Sequence, residues 1–183
     1  LTIITGIIKK MKDSLKIAIA GATGYVGIEL IKILSKHPKV KILYLCAQKS
    51  IGKSIKAFDR NIKKNLPKIT KVSKIKWDNI NVIFTALPNG EAQRIAVKIP
   101  NHVRLIDLSA DFRLNDTDEY KKWYKKKHFC KNMNEKSIYS ISEFVKKKLS
   151  SAKIIACAGC YPTSAQIPLI PLVKKKMVNI NNI

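Results

Sequence analysis

Residues 15–36 read LKIAIAGATGYVGIELIKILSK, and their order decides the fold. Leu15 to Ala20 is a short apolar run ending at Gly21, as expected of a parallel strand covered on both faces. From Tyr25 to Lys36 the apolar residues Val26, Leu30, Ile33 and Leu34 recur at helical spacing. His37-Pro38 ends that helix, because the residue before a proline avoids helical backbone. Between strand and helix lie three glycines, in Gly21-Ala22-Thr23-Gly24-Tyr25-Val26-Gly27. In a strand–turn–helix, Gly21 permits the tight turn, Gly24 lets backbone approach a pyrophosphate, and Gly27 lets helix and strand pack closely. The N–H groups at the helix start, from Thr23 through Tyr25 and Val26, then face the phosphates along the helix dipole. A glycine-rich turn without a ligand would carry the same letters; the strand–turn–helix context favours the ligand.

Outward from this unit, strands and helices alternate. Residues 40–46 (VKILYLC), 80–86 (INVIFTA), 102–108 (HVRLIDL) and 153–157 (KIIAC) read as strands, and residues 91–99 and a segment from about Pro162 read as helices. Residues 49–74 are lysine-rich and weakly patterned, and residues 115–135 place Tyr120, Trp123 and Tyr124 on a helix and loop. This alternation predicts an α/β fold with a doubly wound, Rossmann-type parallel sheet. Residues 177–183 (MVNINNI) read as the beginning of a strand. We therefore expect residues 1–10 to be a leader outside the fold, residues 11–158 a nucleotide-binding domain, and residues 159–183 the start of a truncated α+β substrate domain.

The 183 residues carry 36 Lys+Arg against 12 Asp+Glu, a net charge of +24. Nearly all of it is lysine, spread along the chain; arginine occurs only at positions 60, 94, 104 and 113. Readers of base edges favour arginine's bidentate fork, and no nucleic-acid motif is present. The charge reads as a solvated surface that attracts anionic ligands, and neither nucleic acid nor membrane is expected as a partner. No apolar run approaches the roughly 20 residues of a spanning helix. The apolar opening lacks a basic leader and a cleavage site, so a cytoplasmic location is expected and a disulfide framework among Cys46, Cys130, Cys157 and Cys160 is not.

A cofactor with a free ribose 2′-hydroxyl usually meets an acidic residue about 20 positions after the glycine turn. No Asp or Glu occurs from Leu30 to Phe58; the second strand ends at Cys46-Ala47-Gln48-Lys49-Ser50. Lys49 and Ser50 suit a 2′-phosphate, which favours NADP(H), although Lys49 also reads as one more surface lysine. Leu87-Pro88-Asn89-Gly90 closes a strand at the same sheet edge and would flank the nicotinamide ribose. Cys160 lies between the last strand and a helix whose first turn holds Pro162, where first-turn N–H groups and the helix dipole favour a thiolate. It is the candidate nucleophile for attack on an acyl carbon. Cys157 and Cys160 also form a C-x-x-C pair, open to a dithiol reading; a zinc site is not expected, because no second pair exists. Cys157 and Cys46 read as buried structural thiols.

KIAIAGATGYVG (16–27), ALPNG (86–90), IDLSADFRL (106–114), YKKWY (120–124) and GCYPTSAQ (159–166) together resemble the N-acetyl-gamma-glutamyl-phosphate reductases, relatives of aspartate-semialdehyde dehydrogenase. The resemblance runs from about Lys16 to Val178. It implies an NADP-dependent oxidoreductase of arginine biosynthesis with Cys160 as nucleophile, a small acyl-phosphate substrate, no metal, and a homo-oligomer at full length. It further implies that Ser109 and Arg113 lie near the active site. Arg113 would meet a substrate carboxylate or phosphate, or pair with Asp111. Glu143 would position substrate or cap a helix. The sequence departs from the family at Cys157-Ala158, where Asn-Pro is usual, and at Ser140 and Ser142, where glycine and proline are usual. The family's catalytic histidine falls beyond position 183; His37, His102 and His128 do not sit in its motif. The chain alone is expected to show negligible turnover. Alternatives are aspartate-semialdehyde dehydrogenase, a lysine-pathway acyl-phosphate reductase, and an NADP-binding module without catalysis.

Overall fold

A computed structural model describes residues 14–182; the expected leader, residues 1–10, lies outside the described residues. Strand β1, Leu15–Ala20, is the spine. Its alternating side chains serve two separate cores. Leu15, Ile17 and Ile19 pack with Ile31 and Leu34 of α1, Tyr25–Ser35. Ala18 and Ala20 pack on the other face with Ala92, Ile95 and Ala96 of α2, Glu91–Ala96. A strand with both faces covered has to be apolar at nearly every position. The alanines opposite α2 let that short helix sit close to the sheet.

The strands β2, Val40–Cys46, β3, Ile69–Thr70, β4, Val82–Thr85, and β5, Arg104–Asp107, are followed by β6, Ser137–Ser140, and β7, Ile154–Cys157. Together they form one seven-stranded sheet in the order β3-β2-β1-β4-β5-β7-β6, every pair parallel. The chain leaves β1 in one direction through β2 and β3, then returns past it to β4. That reversal beside β1 is the switch point at which such sheets bind ligands, outside the carboxyl ends of their strands. In register, Ala20 stands opposite Thr85, Thr85 opposite Asp107, and Asp107 opposite Ala156. Gly21, Ala86, Leu108 and Cys157 therefore emerge along one edge.

The connecting helices are α3, Thr117–Tyr124, α4, Lys131–Asn134, α5, Lys146–Leu149, and α6, Cys160–Lys174. The predicted doubly wound sheet is present. β3 and β6 were not read from the sequence: β3 has two residues, and β6 (SIYS) is half polar at the sheet's edge. The strand expected at 177–183 is replaced by a 3₁₀ turn at Ile180–Asn182. Lys176 takes a left-handed conformation (φ 55°) and the N–H of Met177 returns to the carbonyl of Leu172 at 2.9 Å, so the segment closes α6.

Candidate active site

The glycine turn is held from below and open above. The N–H groups of Gly21 and Ala22 both donate to the carbonyl of Cys46, at 2.9 and 3.0 Å, tying the turn to the end of β2. Gly21 has φ +88°, and a Cβ there would lie 2.0 Å from the Ala86 carbonyl oxygen. A Cβ on Gly27 would lie 2.1 Å from the Gly21 oxygen. Both positions admit only glycine. Gly24 differs: a Cβ would meet only the Gly21 oxygen, at 3.5 Å, an ordinary contact. Nothing among the described residues demands glycine there, so its lack of a side chain leaves room for something outside it. Gly24 caps α1 without a side-chain hydrogen bond, and no acidic side chain stands in the first turn. Thr23 is half-buried, while Tyr25 (94% exposed) and Val26 face solvent.

Beside this turn lies a cleft of about 530 Å³ over the ends of β2, β1 and β4. Gly21, Ala47, Gln48, Lys71, Trp77 and Leu87 are among its walls, with Arg94 on the α2 side. Leu87 lines the cleft, and Pro88 is exposed beside it. Lys49 and Ser50 are not among the lining residues; Ser50 takes a left-handed conformation (φ 66°). Lys71 escaped the sequence reading because it reaches this edge only through the pairing of Thr70 with Cys46.

Cys160 is the first residue of α6, exposed, after a Gly159 cap that makes no side-chain hydrogen bond. It opens onto a second cleft, of about 550 Å³, lined also by Arg113, Tyr124, Tyr139, Tyr161 and Pro162. Arg113 does not pair with Asp111. Its Nε donates to the Cys157 carbonyl at 2.8 Å and its Nη2 to the Leu108 carbonyl at 3.0 Å. A Cβ on Gly159 would lie 3.0 Å from Arg113 Nη1, so the guanidinium fits against the backbone leading to the cysteine. Ser109 is buried and donates to Asp107 Oδ1 at 2.6 Å. Glu143 is exposed, accepts from Ser142 Oγ at 3.1 Å, and lines neither cleft.

Two buried carboxylates behind this edge were not singled out by the sequence. Asp111 Oδ1 accepts from the Gly90 N–H at 2.6 Å and the Tyr120 hydroxyl at 2.7 Å, and Oδ2 accepts from the Gln93 N–H at 3.2 Å. It caps α2 from the far side of the sheet edge and fixes the Leu87–Gly90 turn. His128 contacts the Asp111 carbonyl through Nε2 at 2.9 Å, and burial lowers its pKa. Asp107 accepts from Thr85 and Ser109 through Oδ1, while Oδ2 has no partner among the described residues; burial raises its pKa.

Burial pushes the thiols of Cys46, Cys130 and Cys157 up to about 12. Cys157 and Cys160 stand in different settings: Cys157 is partly buried at the end of β7 with its thiol pushed up, and Cys160 is exposed at the start of α6 after an extended Gly159 (ψ 166°). No cluster of three His, Cys, Asp or Glu suited to a metal occurs among the described residues, and no helix among them is long and apolar enough to cross a membrane.

This arrangement has relatives. N-acetyl-gamma-glutamyl-phosphate reductase of Ehrlichia canis (strain Jake) is 43% identical over 175 residues, which is 94% of this chain and 50% of that protein. Its counterpart in Ehrlichia ruminantium (strain Gardel) is 42% identical over 176 residues, again 94% and 50%. The chain thus spans about half the length of these curated relatives. The crystal structure of aspartate semialdehyde dehydrogenase II from Vibrio cholerae shares the fold, with a TM-score of 0.63 at 19% identity over 89% of this chain and 43% of that one. The family model described as "Semialdehyde dehydrogenase, NAD binding domain" matches residues 16–152. The chain belongs to that family.

Proposed function

We propose that this chain is the cofactor-binding and cysteine-bearing part of an NADPH-dependent reductase. The reaction converts N-acetyl-L-glutamyl 5-phosphate to N-acetyl-L-glutamate 5-semialdehyde and phosphate, a step of arginine biosynthesis. One observation carries the reading: an open glycine turn and an exposed cysteine at a helix start share the carboxyl edge of one parallel sheet. β1 and β7 are three strand spacings apart, about 14 Å.

The residues at the turn fit a dinucleotide. The space outside Gly24 admits a pyrophosphate, and the N–H groups of Thr23, Tyr25, Val26 and Gly27 would hold it, while the Gly24 N–H donates to the Gly21 carbonyl at 3.1 Å. Leu87 and Pro88 flank the cofactor where it passes β4. A bound reduced nicotinamide supplies hydride. Cys160 is the nucleophile: its sulfur bonds to the acyl carbon as the phosphate oxygen leaves with the electrons of the broken C–O bond. When the C–S bond later breaks, sulfur keeps that pair and the aldehyde departs. Arg113 braces the turn through the Cys157 carbonyl and offers its cation to an anionic substrate in the same cleft. On this reading residues 11–158 form the cofactor domain, residues 159–183 open the substrate domain, and the working enzyme is a cytoplasmic homo-oligomer.

The test is NADPH oxidation by the protein extended to the relatives' full length. N-acetylglutamyl 5-phosphate should support turnover, aspartyl 4-phosphate should not, and Cys160→Ser should abolish it. Preference for another acyl phosphate, or activity surviving Cys160→Ser, sinks the reading. In the chain itself iodoacetamide should label Cys160 first at pH 7.5, since Cys46 and Cys130 are buried, Cys157 is partly buried, and all three have raised pKa values.

A further inference from the structure

The cleft over β2, β1 and β4 has an apolar floor and a cationic rim. Val72, Trp77 and Ile95 supply flat and branched apolar surface, and Trp77 is half-buried against the core under α2. The cations on its rim differ in how they are engaged. Arg94 pairs with Glu91 at 3.4 Å and lies 5.8 Å over the Phe129 ring. Glu91, the one acid among the lining residues, is thereby neutralised. Lys71 and Lys98 are exposed and have no ion pair among the described residues; Lys98 stands on the α2 side and Lys71 on the side of β2 and β3.

The position of Lys71 follows from the sheet. Thr70 pairs in register with Cys46, so Lys71 emerges beside Ala47, at the strand end where a cofactor's adenosine ribose lies in doubly wound sheets. At that end the usual acid for a ribose hydroxyl is absent; Gln48 stands there, with Ser73 across the cleft. Lys49 and Ser50, nearer the glycine turn along the chain, do not line the cleft.

We propose that this cleft seats the adenosine half of the cofactor and that Lys71, assisted by the Ser73 hydroxyl, selects a phosphate on the ribose 2′ oxygen. A purine lies against Val72 and Trp77, and the phosphate takes the charge of Lys71. This rests on the nicotinamide-cofactor reading above and assigns its specificity to the turn after β3 instead of the turn after β2.

The experiment compares adenosine 2′,5′-bisphosphate with adenosine 5′-monophosphate, which differ by one 2′-phosphate, by titration calorimetry on the 183-residue chain. NADPH is titrated in parallel. The chain should prefer the bisphosphate by about tenfold or more, as one charge-assisted contact implies. Lys71→Ala should bring the ratio near unity while leaving monophosphate affinity in place, Ser73→Ala should lower it severalfold, and Lys49→Ala should preserve it. All three side chains are exposed, so folding is not at stake. A ratio that survives Lys71→Ala, or collapses with Lys49→Ala, overturns the assignment while leaving the cofactor reading standing. Failure of the unaltered chain to bind either nucleotide or NADPH overturns both.

Discussion

At Gly24 the protein leaves a space it does not use itself, which makes that residue the sharpest probe of the glycine turn. Gly24→Ala adds a methyl whose only close neighbour is the Gly21 oxygen at 3.5 Å, so the fold should be kept and Tm should move little. NADPH affinity should drop by about tenfold or more, because the methyl enters the phosphate's space. Gly27→Ala is the contrast: its Cβ meets backbone at 2.1 Å, and stability should fall by about 1–3 kcal/mol in a denaturant titration. Equal effects of the two on affinity and stability would refute the distinction. His128 gives a second residue-scale prediction. It is buried against Phe112 and Tyr120, and burial holds its pKa below the ordinary value, so the folded imidazole stays neutral. In the unfolded chain it takes up a proton near pH 6.5. Folding stability should therefore decline as pH falls below about 6.5, by at most about 1.4 kcal/mol per pH unit from this group, until the folded pKa is reached. Melting curves between pH 7.5 and 5.5 read this, and His128→Gln should flatten that part of the slope.

Among the elements, α1 and α6 both start from a glycine cap at the carboxyl edge, yet they are built differently. α1 buries Gly27, Ile31 and Leu34 against β1. α6 buries no residue and contains Pro168 and Pro171, each of which removes a helical N–H donor. Its apolar side chains, Ile167 and Val173 among them, face solvent. Amides of α6 in this chain should exchange with solvent deuterium at near-unprotected rates, while those of β1 and β4 exchange only through global unfolding. Protection of α6 equal to that of α1 would contradict this. The cysteine thus rides on the least anchored helix, and the Arg113 bonds to Cys157 and Leu108 hold the turn that precedes it.

Over the whole molecule, a net charge of +24 opposes four ion pairs among the described residues, three of them local i,i+3 contacts. Self-repulsion of like charge destabilises the compact state. Raising sodium chloride from about 10 to about 100 mM shortens the Debye length from about 30 to about 10 Å. Tm should rise by about 2 °C or more, the equivalent of roughly 1 kcal/mol in a chain of this size. A Tm that falls with salt would show that attractive pairs outweigh the repulsion.

The sequence by itself determined the β1–turn–α1 unit, the doubly wound class of the sheet and the cysteine at a helix start. Each of these is written in residues a few positions apart: an apolar run, a glycine spacing, Gly159-Cys160 before Pro162. Only the tertiary structure decided which distant groups meet. β3 and β6 exist because partner strands were already in place, since two residues of β3 carry no periodicity of their own. Arg113 reaches the Cys157 carbonyl 44 residues away, and Asp111 caps α2 across 18 to 21 residues. Lys71, not Lys49, faces the cleft through the register of Thr70 with Cys46. A lysine looks the same in sequence wherever it points. Hydrogen bonds and cleft walls depend on the approach of segments that share no local pattern, and that approach is set by packing alone.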